Sequence, residues 1–307
     1  MLRKRSLQTG SLRVILVFLL PTLIFYTAFL IVPVFDSLRL SLYTGKLLRI
    51  DRFVGLDNYR RLFTVPPFNT AFFNAFGNTI ELFVILAAFQ NIVPLIIALI
   101  LSRIRFASFF RVVFFIPSLV PLIVTGFLFK MILNPVWGIV DKALRFVGLG
   151  LLVRPWLGDA HLAIPVIAGI GGWAYFGMPF VLFLAGINGV SHEMLEAARI
   201  DGANELTVAR RIILPLLLPV FGIVTTLALI GNITQFDLIY SAANAWGDPG
   251  YHTDVFGTLF FRTMFGANNT GITSDLGLAA ALASVMFVLV LVGQAAVLRL
   301  TRRRVAP

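Results

Sequence analysis

Charged residues divide this chain into long oily runs. Six stretches contain no Asp, Glu, Lys or Arg: Val14–Phe35, Leu82–Ser102, Val112–Phe129, Ala160–His192, Ile212–Phe236 and Leu276–Leu298. Each is close to or above the roughly 18 to 20 residues that cross a bilayer as a helix. In lipid the backbone has to satisfy its own hydrogen bonds, so such runs are helices and not open strands. Barrel-type alternation is absent. The pattern predicts spans over about 14–35, 80–102, 112–133, 162–187, 212–236 and 276–298, in one membrane domain covering 1–307. The first run follows Arg3, Lys4 and Arg5, as a secretion signal would. Its 22 residues exceed the usual apolar core of about 7 to 15, and no small-x-small site follows. It reads as a retained helix.

Composition agrees with a membrane setting. Only 13% of the 307 residues are charged and 59% are hydrophobic, against about 25% charged in soluble domains. No cysteine is present, and the three histidines, His161, His192 and His252, are scattered. Neither a disulfide nor a metal centre is expected. The net charge of +11 does not call for nucleic acid. The cations cluster at the ends of oily runs, where they meet lipid headgroups and set orientation. With the N-terminus in the cytosol, the inner segments hold 14 Lys/Arg in 55 positions and the outer ones 11 in 117. Arg39, Lys46, Arg49, Arg52, Arg60 and Arg61 in the first outer loop run against that choice. Long loops weigh less in this rule, so both termini are placed in the cytosol.

One cytosolic segment is unlike the rest. "EAARIDGANELTVARRIILP" (196–215) carries Glu196, Arg199, Asp201, Glu205, Arg210 and Arg211. Ser191 can cap a helix there, with Glu193 complementing the dipole of its first turn. Gly202 supplies a break where a positive φ is cheap. A second helix can begin near Asn204 and should end before Pro215. The expected object is a helix–turn–helix elbow lying along the membrane surface. Two alanines beside Glu196 would give it a smooth face. An ordinary interfacial linker would have the same physical outline.

The spacing of this segment is more specific. Glu196, Ala197, Ala198, Gly202, Leu214 and Pro215, with Asp201 in the turn, resemble the EAA loop of permease subunits of binding-protein-dependent ABC importers. "FVGLDNYRRLF" (53–63), "FFIPSLVP" (114–121), "NPVWGIVD" (134–141), "FLAGINGVSHEMLEAARIDGA" (183–203), "FDLIY" (236–240) and "LGLAAALA" (276–283) are similar to its carbohydrate-uptake branch, the maltose and glycerol-phosphate type. The resemblance implies an all-α membrane protein of the type I importer permease fold, six transmembrane helices with a cytosolic coupling-helix elbow. It also implies a second, homologous permease as a heterodimer partner, a cytosolic ATPase dimer docked on the elbow, and an extracytoplasmic solute-binding protein. The setting would be a bacterial cytoplasmic membrane. One departure stands out: where relatives often carry T-x-G-G-P, this chain has "SAANAWGDPGYHT" (241–253), leaving the shape of that outer loop open.

The chain brings no motor of its own. A phosphate loop needs G-x-x-x-x-G-K-[ST]. Of Lys4, Lys46, Lys130 and Lys142, only Lys46 follows a glycine, and Leu47 fails the next position. No catalytic set stands out. The chain therefore reads as a non-catalytic subunit without a cofactor, with ATP and Mg²⁺ held by the partner ATPase.

Polar groups inside spans mark pathways or helix contacts. Asn232 and Gln235 stand three apart and are expected on one helix face. They offer neutral donors and acceptors to a hydroxylated solute, or bonds to a neighbouring helix. Trp173 and Tyr175 could stack on a sugar ring or pack internally. By resemblance to the maltose-type permease, Gly171, Tyr175, Met178, Ala228, Asn232 and Gln235 fall in the substrate pocket. Asn78, Thr79 and Glu81 read as the start of the second span, and Gln90 and Asn91 as helix contacts. The expected cargo is a neutral sugar. A glycerol phosphate would call for a buried cation, a polyamine for carboxylates, and a secondary transporter for buried Asp or Glu. The span interiors supply none of these.

Overall fold

The computed structural model describes residues 10–46, 49–102, 104, 107–266 and 274–302. Helices dominate, and among the described residues the one sheet is a hairpin of Tyr43–Lys46 and Arg49–Phe53. Three helices are long and apolar enough to cross a membrane alone: Leu16–Leu40, Phe68–Leu101 and Leu276–Thr301. Three bent pairs meet the same test together: Ser108–Leu119 with Leu122–Ile132, Ala163–Ala174 with Gly177–Asn188, and Glu205–Leu216 with Leu218–Ile233. Counting each pair as one span gives six, and in chain order they are called spans one to six.

Three of the six spans are bent. Span three turns by 91°, span four by 53° and span five by 63°. Proline explains each break, because it has no N–H to donate to the carbonyl four residues back. Pro117 and Pro121 flank the first break, Pro179 sits in the first turn after the second, and Pro219 follows the third. Span two differs in another way. It starts at Phe68 and runs 34 residues, so Asn78, Thr79 and Glu81 lie within a helix and cap nothing. Charge at Glu81 hid the first three turns.

Span one is the outlier in packing. None of the side chains in Leu16–Leu40 is buried. As far as Phe35 it is apolar on every side, as a helix bathed in lipid or covered by another subunit would be. The other spans share three apolar clusters. One joins Leu82 and Leu86 of span two to Ile164, Ile167 and Ala168 of span four and Leu238 and Ile239 beyond span five. A second, toward the elbow, joins Leu95, Ala98, Phe180, Phe183, Val208 and Leu217. The third ties Phe72 and Ala75 to Phe256, Leu259, Leu278 and Leu282.

Long-range polar bonds fix the end opposite the elbow. Asn58, fully buried, donates from Nδ2 to the carbonyls of Ser41 and Tyr43, each at 2.8 Å. Arg61 donates to Asp275 at 2.8 Å, pinning the segment before span two to the start of span six. Gly277 passes so close that a Cβ there would sit 1.7 Å from the Tyr43 carbonyl oxygen. The segment "FVGLDNYRRLF" therefore builds a joint.

Candidate functional site

The elbow forms from purely local signals. The Ser191 hydroxyl accepts from the Met194 N–H at 3.4 Å and caps the helix His192–Ile200. At its end Ala203 N–H donates to the Ala198 carbonyl and Gly202 N–H to that of Arg199, at 2.9 and 3.0 Å. This is a Schellman close, which places Gly202 in the left-handed region at φ +82°. Asn204 then caps the second arm, accepting at Oδ1 from Thr207 N–H at 2.8 Å. The half-exposed pair Arg199–Glu205, at 3.1 Å, spans the turn.

The second arm does not stop before Pro215. It runs on through a π turn, Ala209–Ile213, to Leu216. There the Leu214 N–H reaches back to the Ala209 carbonyl. The widened turn absorbs the proline that an α-turn would reject. Of the elbow residues, Glu196, Ala197, Asp201, Gly202 and Pro215 face outward. Ala198 and Leu214 turn inward onto the cluster of Phe180, Phe183 and Ile213. The outward face also carries two apolar side chains, Ile200 at 85% exposure and Leu206 at 76%. Exposed apolar groups beside charges suit a protein partner.

A cavity of about 190 Å³ lies where spans two, four and five meet. Gln90, Tyr175, Met178, Ala228 and Asn232 are on its wall. Tyr175 stands at the span-four break, freed from regular helix by Pro179. Its hydroxyl donates to Gln235 Oε1 at 2.8 Å. Gln235 does not share a helix face with Asn232, because span five ends at Ile233 and Gln235 sits in the following turn. Asn232 donates from Nδ2 to Gln90 Oε1 at 3.1 Å. One side of the cavity is open, beside Met178 at 49% exposure and Leu227 at 48%. Two residues weighed for the pathway lie elsewhere. Gly171 lets span four approach Leu86 and Leu238. Trp173 packs edge-to-face on Phe129 at 5.4 Å and is half exposed. A larger cavity, about 660 Å³ between spans five and six, has Thr234 as its polar side chain among Ile230, Phe236, Phe260, Phe261 and Met286. It lacks converging polar groups, so the smaller cavity is the candidate for a solute.

The loop after Tyr240 takes a definite shape that its sequence left open. Arg262 and Asp254 form a buried ion pair, Nη1 to Oδ1 at 2.7 Å and Nη2 to Oδ2 at 2.5 Å, with side chains 2% and 1% exposed. Arg262 Nη1 also donates to the Ala245 carbonyl, and the guanidinium lies over the Tyr251 ring. Burial pushes the Asp254 carboxyl up, while the hydrogen bonds from Arg262 and the Thr258 hydroxyl pull it back. Asn74 and Asn78 of span two donate to the Tyr251 carbonyl, and the Thr79 hydroxyl accepts from Phe256 N–H. Gly247, at φ +71°, lies where a Cβ would come 2.6 Å from Asp254. The signal available was Arg262 itself, a lone cation inside the oily run "FGTLFFRTMF".

Over residues 90–305 the chain matches the family described as binding-protein-dependent transport system inner membrane component, and it belongs to that family. It is thus a membrane permease subunit of a transport system that works with a binding protein. Among its relatives is the probable ABC transporter permease protein YurN of Bacillus subtilis, 31% identical over 89% of this chain and 91% of that one. Another is the multiple sugar-binding transport system permease protein MsmF of Streptococcus mutans, 31% identical over 89% and 90%. A bacterial ABC transporter involved in the import of the acidic polysaccharide alginate shares the fold, with TM-score 0.77, 21% identity and coverage of 95% and 96%.

Proposed function

We propose that the chain is the translocating subunit of an ATP-driven importer for a neutral sugar or oligosaccharide. It would pair with a second, homologous permease, whose surface closes the open side of the cavity. A cytosolic ATPase dimer, holding ATP and Mg²⁺, would dock on the elbow through Glu196, Ala197, Asp201, Ile200 and Leu206. A binding protein would deliver solute at the opposite end. ATP binding closes the ATPase dimer, shifts the elbow and turns the cavity outward; hydrolysis resets it. One observation carries this reading. The second arm of the elbow and the cavity residues Ala228 and Asn232 sit on one bent helix, Glu205–Leu216 joined to Leu218–Ile233. The sugar assignment is supported by a cavity wall of amides, a phenol and apolar groups with no ionised side chain. It is supported too by relatives named for lactose and arabinooligosaccharide transport.

The orientation, with both termini in the cytosol, rests on the density of cations, 14 Lys/Arg in 55 inner positions against 11 in 117 outer ones. The test is ATPase stimulation and uptake in the reconstituted complex with its binding protein, across a panel of neutral and charged sugars. Gly202→Asp and Glu196→Lys should each abolish uptake while the subunit still inserts and assembles. Uptake surviving both, with normal assembly, sinks the coupling role. Stimulation by charged sugars alone sinks the neutral-sugar reading.

A further inference from the structure

Polar groups continue past the end of span five. Gln235, bonded to Tyr175, leads into the short helix Asp237–Ala243. One side of this helix, Leu238, Ile239, Ala242 and Ala243, is buried in an apolar cluster. The other side carries Asp237 and Tyr240, with Asn244 at the helix end, at helical spacings of three and seven. Asp237 and Tyr240 are exposed, and no cation pairs with Asp237 among the described residues. An unpaired carboxylate is expensive to turn toward lipid, so this side of the helix faces water. The helix points away from the elbow. Its far end, Ala243, borders Pro155 and Leu157 of the loop between spans three and four.

A cavity of about 500 Å³ opens on that wet side, with Val124 and Phe127 of span three on one wall and Tyr240, Asn244 and Trp246 on the other. Trp246 belongs to a stiff stretch. Asn244 ends the helix in the left-handed region at φ +71°, and its Oδ1 accepts from the Trp246 N–H at 2.7 Å. The Ala245 carbonyl, just before Trp246, is held by Arg262 at 2.9 Å. Gly247, just after it, abuts Asp254. The buried ion pair thus clamps the backbone on both sides of the tryptophan. The indole itself is unspent. It meets no other ring, and its Nε1 is neither occluded nor bonded among the described residues. Trp156, by contrast, gives its Nε1 to Asp141 at 2.9 Å, and Trp173 packs on Phe129. The Tyr240 hydroxyl also bonds nothing among the described residues, while its ring rests on Phe236 and Phe261.

We infer that Trp246 and Tyr240 form a second sugar subsite, which receives the solute at the delivery end and hands it on toward the cavity at Asn232. A sugar ring is apolar on its faces, where C–H bonds point, and polar around its rim. A fixed aromatic ring with a polar edge matches both at once. Trp246 supplies the ring and an N–H, and the Tyr240 hydroxyl can donate or accept. Phe127 at 57% exposure and Val124 at 43% supply an apolar floor. No ionised side chain lines the cavity, so ring faces and neutral hydrogen bonds, not charge, set the class of ligand. The backbone clamp means that little freedom is lost when the ring is covered. This subsite rests on the carbohydrate reading above and adds to it an earlier stop on the route.

The test holds the complete complex with its ATPase in lipid nanodiscs, trapped by a non-hydrolysable ATP analogue. The chain has no cysteine, so Val124→Cys on this wall and Met178→Cys on the first cavity each give one labelling position, read on this chain alone. A water-soluble thiol reagent should label both. The neutral sugar that best drives uptake in the panel above should protect both. Choline, which would answer a cation site made of the same rings, should not protect Val124→Cys. Trp246→Ala should raise the half-protecting sugar concentration at Val124→Cys by about three- to tenfold, the worth of one aromatic contact, and leave it unchanged at Met178→Cys. Trp246→Leu keeps apolar bulk without a ring or N–H; it should act alike and covers an alanine variant that does not assemble. Phe127→Cys stands in for Val124→Cys in the same way. If the sugar leaves Val124→Cys unprotected, or if protection there is indifferent to loss of the indole, the subsite is overturned while Met178→Cys still reports the carbohydrate reading. Protection of Val124→Cys by choline overturns it too. So does a Val124→Cys that a lipid-permeant reagent reaches and a water-soluble one does not, which marks a lipid face, or that neither reaches, which marks a face covered by protein. A panel in which no sugar drives uptake overturns the carbohydrate reading instead, and the subsite falls with it.

Discussion

The two ends of this molecule are built by opposite means. At the elbow each capping hydrogen bond joins residues a few positions apart: Ser191 with Met194, Gly202 with Arg199, Asn204 with Thr207. The ion pair Arg199–Glu205 there is half exposed. At the opposite end the joints are long-range. Phe256 N–H reaches Thr79 across 177 positions and Arg61 reaches Asp275 across 214. Its central ion pair is dry. A locally encoded end can keep its shape while its surface is spent on contact with something else. A remotely encoded end has to be held by the whole bundle, and in return it fixes where spans one, two and six stand relative to one another.

Variants should separate the two ends by the size of their effect on stability. The largest loss is expected from Asp254→Asn, which strands the Arg262 charge in a buried site and should cost about 3–5 kcal/mol. The measurement is the thermal midpoint and folded yield of the purified subunit. Asp254→Leu combined with Arg262→Met should recover part of that loss, since no charge is then left behind. Next comes Gly277→Ala, whose methyl would collide with the Tyr43 carbonyl; overpacking of this kind costs about 1–3 kcal/mol. Smallest is Arg199→Ala at the elbow, about 0.2–1 kcal/mol for an exposed pair. Glu196→Lys, at a fully outward position, should move stability by no more than about 0.5 kcal/mol while uptake is lost. If the elbow variants destabilise as strongly as Asp254→Asn, the contrast between the ends collapses.

The same contrast decides what the sequence made legible. Charge-free runs marked all six spans, and the capping residues and Gly202 gave the elbow almost residue by residue, because a cap or a positive φ is a local demand. Span boundaries slipped where a charge interrupted a helix, as at Glu81, or where a helix passed a proline, as at Pro215. The bends at Pro179 and Pro219 were readable in principle, since the missing N–H is a local fact, but a hydropathy pattern alone smooths over them. Of the cavity, Tyr175, Met178 and Asn232 were named beforehand and stand on its wall. Gln235 reaches it only through Tyr175, because the end of span five moved it off the helix face. Gln90 was read as a helix contact and does meet Asn232, and Arg262 stood out as a lone cation, but the partners of neither were legible. Their roles depend on partners at separations of 142 and eight residues that only the folded packing brings into register.

The bend in span five has a mechanical consequence. A single residue, Leu217, separates the arm Glu205–Leu216 from Leu218–Ile233. Leu217 is 1% exposed, and Gly186 fits so tightly against it that an added Cβ would lie 2.6 Å from its side chain. No slack chain lies between them to absorb a displacement. A twist applied at the arm Glu205–Leu216 either flexes that one wedged joint or arrives, undiminished, at Asn232 as a change of pitch. The stiffness of a single buried leucine therefore sets how faithfully a push from below becomes a rotation above.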